Sequence, residues 1–306
     1  MNISPYLLLT LTAFFWSLNF ILGKVLSDTV PPATLTFLRW LLPSVFFLLL
    51  YSKEIKNRLA LFKQHWFLIL ILGMTGYSLN ALGVYLAVRY TTTINSAFIN
   101  AFNPVLIAMC GFIMYRYPVT RDQALGFLLS FAGVLCIMFK GNLRHVAALQ
   151  TNIGDLFMLG SIILFSIHTI VYKQKAHRFP EGAMFTAMML GGLLSILPAA
   201  VVENIANHGS WVGKIRMVHV LCILCLNIFP SVLAYQFWHR ALKHVSANQV
   251  AIFQYLIPVF TTGISILFLD EQLKLFHIVG GTLIFIGVFL VTSQKSARKA
   301  SEILSS

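Results

Sequence analysis

Ten apolar stretches run along this chain, each near the roughly 20 residues that a helix needs to cross a hydrocarbon core. They are read at Pro5–Leu26, Pro32–Tyr51, Trp66–Val88, Thr92–Met114, Ala124–Phe139, Ile153–Tyr172, Gly182–Val202, Met217–Leu242, Asn248–Leu269 and Phe276–Thr292. The segments between them are short and carry helix-breaking chemistry, as in Asp28-Thr29-Val30-Pro31-Pro32, Tyr117-Pro118-Val119-Thr120, Phe179-Pro180-Glu181-Gly182 and Asn207-His208-Gly209-Ser210. They leave no room for a soluble domain. The expected fold class is an all-α membrane protein of ten transmembrane helices.

Composition excludes the alternative of a water-soluble domain. Hydrophobic residues make up 58% of the 306 and charged residues 10%, with a mean hydropathy of +0.82. Too few polar side chains remain to cover a water-facing surface. The first stretch has no basic leader and no small-residue cleavage pattern before Asp28, so it is read as a mature helix rather than a signal peptide. Cys110, Cys136, Cys222 and Cys225 lie inside apolar spans, and the C-x-x-C spacing of the last two has no second pair beside it. Buried small hydrophobes are the expected state.

The net charge of +13 is distributed as a membrane requires rather than as a nucleic-acid partner would. With the amino terminus inside, 14 Lys and Arg (Lys53, Lys56, Arg58, Lys63, Arg116, Arg121, Lys173, Lys175, Arg178, Arg240, Lys243, Lys295, Arg298, Lys299) face the cytoplasm and 6 face outward, while Lys24 and Arg39 lie within spans. Such a bias predicts a plasma-membrane protein with both termini cytoplasmic.

The pattern repeats. A shift of 154 residues lays Pro104 on Pro258, Gly126 on Gly280, Gly133 on Gly287, Ala87 on Ala241, Ala97 on Ala251 and Asn100 opposite Gln254. In the opening helices a shift of 149 places Trp16-Ser17 on Phe165-Ser166, Asn19 on His168 and Lys24 on Lys173. The chain is therefore divided into a first five-helix unit (1–145), a second (150–294) and a cytoplasmic tail (295–306). An odd number of spans per unit inverts the second relative to the first, and a central cavity is expected at mid-depth between them.

Several motifs carry a resemblance to the drug/metabolite transporter superfamily, in its ten-helix EamA-like form. They are Trp16-Ser17-Leu18-Asn19-Phe20 with Lys24, Phe37-Leu38-Arg39-Trp40, and Ala97-Phe98-Ile99-Asn100-Ala101-Phe102-Asn103-Pro104. In the second unit they are Ala251-Ile252-Phe253-Gln254-Tyr255-Leu256-Ile257-Pro258 and Phe268-Leu269-Asp270-Glu271-Gln272 through Gly280 and Gly287. The resemblance spans nearly the whole chain. It implies helices one, three, four, six, eight and nine around a cavity, and export of small metabolites such as amino acids. Arg116-Tyr117-Pro118 stands where the family commonly has an acid before the fifth helix, which removes a symmetric partner for Glu271.

Polar side chains at membrane depth are costly, so each is a functional candidate. Substrate-binding candidates are Trp16, Asn19, Asn80, Tyr85, Asn100, His168, Tyr235, Trp238, His239 and Gln254; interhelical hydrogen bonding and aromatic core packing are the competing readings of the same residues. Lys24, Arg39, Pro104 and Pro258 are structural or gating candidates, since the prolines remove amide donors and Arg39 needs an internal partner. All nine carboxylates read at helix ends or loops, so coupling through a mid-membrane acid is disfavoured and the imidazoles of His168 and His239 are the proton carriers at hand.

Neither G-x-x-x-x-G-K-[ST] nor H-E-x-x-H occurs in the sequence, so the expectation is a secondary transporter without cofactor or metal and not an enzyme. Its expected partners are a small-molecule substrate and the lipid bilayer, with no nucleic acid, as a monomer or homodimer. A drug or other metabolite exporter, or a sensor or scaffold without transport, is the alternative. The amide, imidazole and aromatic set favours an amphipathic zwitterion over a multiply charged sugar phosphate.

Overall fold

The structure, a computed structural model, describes residues 4–117, 119–142, 151–242 and 253–292. Among these, eight helices are long and apolar enough to cross a membrane: α1 (Pro5–Ser27), α2 (Pro32–Asn57), α3 (Trp66–Tyr90), α6 (Arg121–Met138), α7 (Ile153–Lys175), α8 (Glu181–Ala206), α9 (Met217–Trp238) and α11 (Leu275–Thr292). The expected fourth span is instead a pair, α4 (Thr93–Asn100) and α5 (Asn103–Tyr115), bent by 40° at Ala101-Phe102. α10 (Leu256–Phe268) is shorter, and the start of the expected ninth span lies outside the described residues.

Local chemistry sets the ends. Pro5 and Pro32 occupy first helical turns, where a missing N–H costs nothing. Thr92 Oγ1 accepts from Asn95 N, and Thr120 with Gln123 forms a reciprocal capping box for α6. Arg116 adopts a left-handed conformation (φ 56°) that stops α5.

Glycines let helices approach closely where lipid supplies no hydrophobic drive. α6 and α11 run antiparallel with their backbones in contact at two levels. A Cβ on Gly126 would lie 2.5 Å from Gly287 O, and one on Gly133 would lie 2.5 Å from Gly280 O. The contact is reciprocal, because Gly126 and Gly133 align with Gly280 and Gly287 in the repeat. Leu49, Phe268, Leu275 and Phe289 meanwhile turn two thirds or more of their surface outward, as a lipid-facing shell would.

Two long helices contain π-helical turns at positions the repeat makes equivalent: Met74–Ser78 in α3 and Asn227–Leu233 in α9. The break before α5 likewise matches the turn at Gln254-Tyr255 before α10. Each interruption shifts the hydrogen-bond register and frees backbone groups inside the bundle, which protein neighbours or a cavity must then satisfy.

One end of the bundle, the one holding Ser27 and Pro32, is tied by carboxylates. Glu203 at the end of α8 accepts from Ala33 N (3.3 Å), Thr34 N (2.8 Å) and Thr34 Oγ1 (3.0 Å) at the start of α2. Glu271 accepts from Thr93 N (2.8 Å) and Ile94 N (3.0 Å) at the start of α4. Both acids sit where unpaired amides and the positive end of a helix dipole converge. Asp155, expected at a helix end, is there but fully buried, accepting from Thr91 Oγ1 (2.7 Å) and Asn95 Nδ2 (3.2 Å), and Asn95 Oδ1 in turn meets His277 Nε2 at 2.7 Å. At the opposite end the position equivalent to Glu271 is Tyr117, whose hydroxyl takes Gln174 Nε2 instead.

Candidate functional site

Between these ends lies a chamber in three lobes that share walls. The mouth lobe, about 280 Å³, is lined by Tyr51, Glu181, Phe185, Gln236 and Arg240, at the end predicted to face the cytoplasm. A middle lobe of about 220 Å³ adds Tyr77, His168, Tyr172, Trp238 and Met188, and a deep lobe of about 120 Å³ adds Asn19, Arg39, Asn80 and Asn100. Tyr235 borders all three, while Trp16, Asn103, Phe165 and Gln254 border the inner two. Together the lobes fall within the roughly 300–1,000 Å³ of small-molecule sites.

The deep lobe is organised by Arg39, which is 6% exposed. Pro230 has no N–H, so the Leu226 carbonyl four residues earlier loses its usual donor. Ser231 Oγ donates to that carbonyl at 2.9 Å and accepts from Arg39 Nε at 3.3 Å. Arg39 Nη1 donates to Asn19 Oδ1 (2.6 Å) and to Tyr85 OH (3.3 Å), and Tyr85 donates to the same Asn19 oxygen (3.2 Å). The guanidinium also lies 4.8 Å from the Trp40 ring centroid. Trp40 is itself fixed by Nε1 donating to Tyr77 O (2.8 Å) within the first π turn.

The middle lobe is organised by His168. Its Nδ1 lies 2.9 Å from Leu72 O, so that nitrogen carries the proton, and in the neutral ring Nε2 presents a lone pair. Gly76 permits this approach, since a Cβ there would run into the imidazole. Asn103 Oδ1 lies 2.8 Å from Ser166 Oγ, whose single proton is shared with the Ile162 carbonyl at 2.7 Å. Aromatic rings complete the wall: Trp16 lies 5.0 Å from Trp238 and 5.8 Å from Tyr235, and Phe185 lies 5.2 Å from Tyr235.

Most of the candidates read from the sequence therefore meet here. Trp16, Asn19, Asn80, Asn100, His168, Tyr235, Trp238 and Gln254 line the chamber. Asn80 also ties α3 to α7, donating to Ser161 O (3.1 Å) and Ser161 Oγ (2.9 Å). Tyr85 is fully buried behind Arg39 and lines no lobe. Arg39, read as structural or gating, is a wall residue. Lys24, Pro104 and Pro258 stand off the chamber, in the last turn of α1 and at the starts of α5 and α10. The side chain of His239 lies outside the described residues. Phe165, Tyr77, Phe185 and Tyr172 were not singled out. Phe165 was legible as the repeat partner of Trp16; the others are aromatic residues in aromatic-rich helices. Among the described residues, no cluster of three His, Cys, Asp or Glu has the makings of a metal site.

A model of the EamA-like transporter family matches the chain at residues 3–139 and again at 152–293. An uncharacterized transporter of Archaeoglobus fulgidus is 29% identical over 296 residues, covering 96% of this chain and 99% of that protein. The uncharacterized transporter YetK of Bacillus subtilis is 26% identical over 90% of this chain and 82% of its own length. An S-adenosylmethionine/S-adenosylhomocysteine transporter of Chlamydia trachomatis serovar L2 is 24% identical over 87% of this chain and 82% of its own. One solved crystal structure, 15% identical, superposes with a TM-score of 0.58 over 95% of this chain and 97% of that one, a likeness of fold alone.

Proposed function

Because the chain belongs to the EamA-like transporter family and is a multi-pass membrane protein, we propose that it is a secondary transporter of the plasma membrane that moves small amphipathic metabolites, amino acids or their derivatives foremost, out of the cell by alternating access. The observation that carries this reading is the polar chamber, whose walls come from both matched segments and gather at their interrupted helices.

Inversion of the two five-helix units is supported by the α6–α11 contact. Gly126 meets Gly287 and Gly133 meets Gly280, so exchanging the units maps the pair of contacts onto itself while the helices run in opposite directions. An axis lying in the membrane plane produces that relation, and such symmetry supplies two mirrored access states. With both termini cytoplasmic, the carboxylate-tied end is the outer face and the mouth at Tyr51, Glu181 and Arg240 is the inner one. The structure then represents the inward-open state. Opening outward requires Glu203 and Glu271 to release the first turns of α2 and α4.

The chamber's composition supports the substrate class. Rings of Trp16, Tyr235 and Trp238 offer faces for an apolar or aromatic body, while amides, an imidazole and one cation offer partners for an ionic end. S-adenosylmethionine and S-adenosylhomocysteine, named for one relative, share that division between an aromatic base and an amino-acid end. The test is a metabolite screen comparing overexpressing and deletion strains under excess amino acids and their analogues. Protection by overexpression, matched by solute flux in proteoliposomes, supports export. Unaltered tolerance together with zero flux counts against it and favours a sensor.

A further inference from the structure

Arg39 is a buried charge with unusual company. Each of its hydrogen bonds goes to a neutral group: Asn19 Oδ1, Tyr85 OH and Ser231 Oγ. These consume the Nε proton and both Nη1 protons. Nη2, with its two N–H groups, has no protein acceptor among the described residues. The other residues lining the deep and middle lobes are uncharged or, at His168, an imidazole; the acid among the chamber's described lining residues, Glu181, belongs to the mouth.

A guanidinium kept for structure alone is normally neutralised, because a buried unpaired ion is strongly disfavoured. Here the sequence goes the other way. The π turn at Asn227–Leu233 and the Ser231 hydroxyl fix the fork in place with neutral acceptors and leave the charge uncompensated. We propose that Arg39 is the anion subsite of the chamber, receiving a single carboxylate of the solute through Nη2. This rests on the transporter reading and narrows it to solutes with one carboxylate and an apolar or aromatic body. Guanidinium and carboxylate match as planar partners, and one fixed cation in a lobe of about 120 Å³ suits a monoanion better than a phosphate ester. Asn19 and Tyr85 are positioning residues: they hold the fork and do not compete for it as a carboxylate would.

Asn19→Asp gives a direct test. It puts a carboxylate where Oδ1 already sits 2.6 Å from Nη1, so Arg39 is satisfied internally and the subsite is filled by the protein itself. Purified wild type, Asn19→Asp and Arg39→Gln are reconstituted, and counterflow is measured for phenylalanine, tryptophan and methionine beside phenylalaninamide, tryptophanamide and methioninamide. Size-exclusion elution and melting midpoint report folding. In wild type at least one acid is expected to move tenfold or more faster than its amide. Asn19→Asp, folded at least as stably as wild type, is expected to lose that preference, as is Arg39→Gln. Equal movement of acids and amides in wild type, or a preference that survives in folded Asn19→Asp, overturns the subsite while leaving the transporter reading intact. Absence of flux for the whole panel overturns both.

Discussion

The backbone contact between α6 and α11 allows a quantitative test of the architecture. A Cβ built on Gly133 falls 2.5 Å from Gly280 O and 2.8 Å from Ile284 Cγ1, whereas ordinary contact begins near 3.4 Å. The nearer atom is backbone, so no rotamer change relieves the clash. In Gly133→Ala, α6 and α11 must separate by about 0.9 Å, an overpacking cost of about 1–3 kcal/mol. Alanine's helix propensity returns at most about 1 kcal/mol. Gly160 and Gly263 are internal controls, since a Cβ at either meets nothing within 4 Å. Thermal unfolding in detergent, followed by tryptophan fluorescence at a fixed scan rate, should place Gly133→Ala a few degrees below wild type and Gly160→Ala and Gly263→Ala at or above it, taking roughly 2–4 °C per kcal/mol. Gly280→Ala meets Gly133 O at 2.8 Å and Ile137 Cγ1 at 2.7 Å and should behave like Gly133→Ala. The double substitution should cost less than the two added, because one separation accommodates both methyl groups. A Gly133→Ala midpoint indistinguishable from that of Gly160→Ala would refute the reasoning.

Three further expectations follow from the polar ties. Glu271→Gln keeps one acceptor oxygen for the first turn of α4 but loses the charge facing its dipole, so it should destabilise by about 0.5–1.5 kcal/mol and raise labelling of a cysteine at Thr93 from outside; unchanged labelling would argue against a latch. Asp155→Asn turns an amide donor toward Asn95 Nδ2 or Thr91 Oγ1, which already donate, and should cost about 1–3 kcal/mol in the same unfolding assay, with an unaltered midpoint contradicting the buried network. Replacing both His168 and His239 by Gln should abolish pH-dependent uptake in proteoliposomes; persistence of that dependence would remove both imidazoles from coupling.

The apolar runs are long enough to declare themselves, and the repeat offsets pair Asn100 with Gln254 and Trp16 with Phe165 from the sequence alone. What the pattern could not display was register. The π turns at Met74–Ser78 and Asn227–Leu233 sit in stretches whose composition is ordinary helix, and only Pro230 hinted at either. The bend at Ala101-Phe102 split a span that apolar length alone read as continuous. Glu203, Glu271 and Asp155 were legible as terminal acids, but their targets lie 60 to 178 residues away in sequence and emerge only from packing. The sequence reads Arg39 as a cation in need of internal partners, while the neutrality of the groups it meets, on which its proposed role depends, emerges only from the side-chain geometry.

The decisive measurement is sidedness. In a variant freed of Cys110, Cys136, Cys222 and Cys225, a cysteine replaces Gln236 at the chamber mouth or Asn207 at the carboxylate-tied end, and each is exposed to a membrane-impermeant maleimide in intact cells and in inverted vesicles. Inward opening of the chamber predicts that position 236 reacts in inverted vesicles and is shielded in intact cells, with position 207 doing the reverse. Reaction of both positions from one side, or of 236 from outside alone, would contradict an inward-open chamber with cytoplasmic termini.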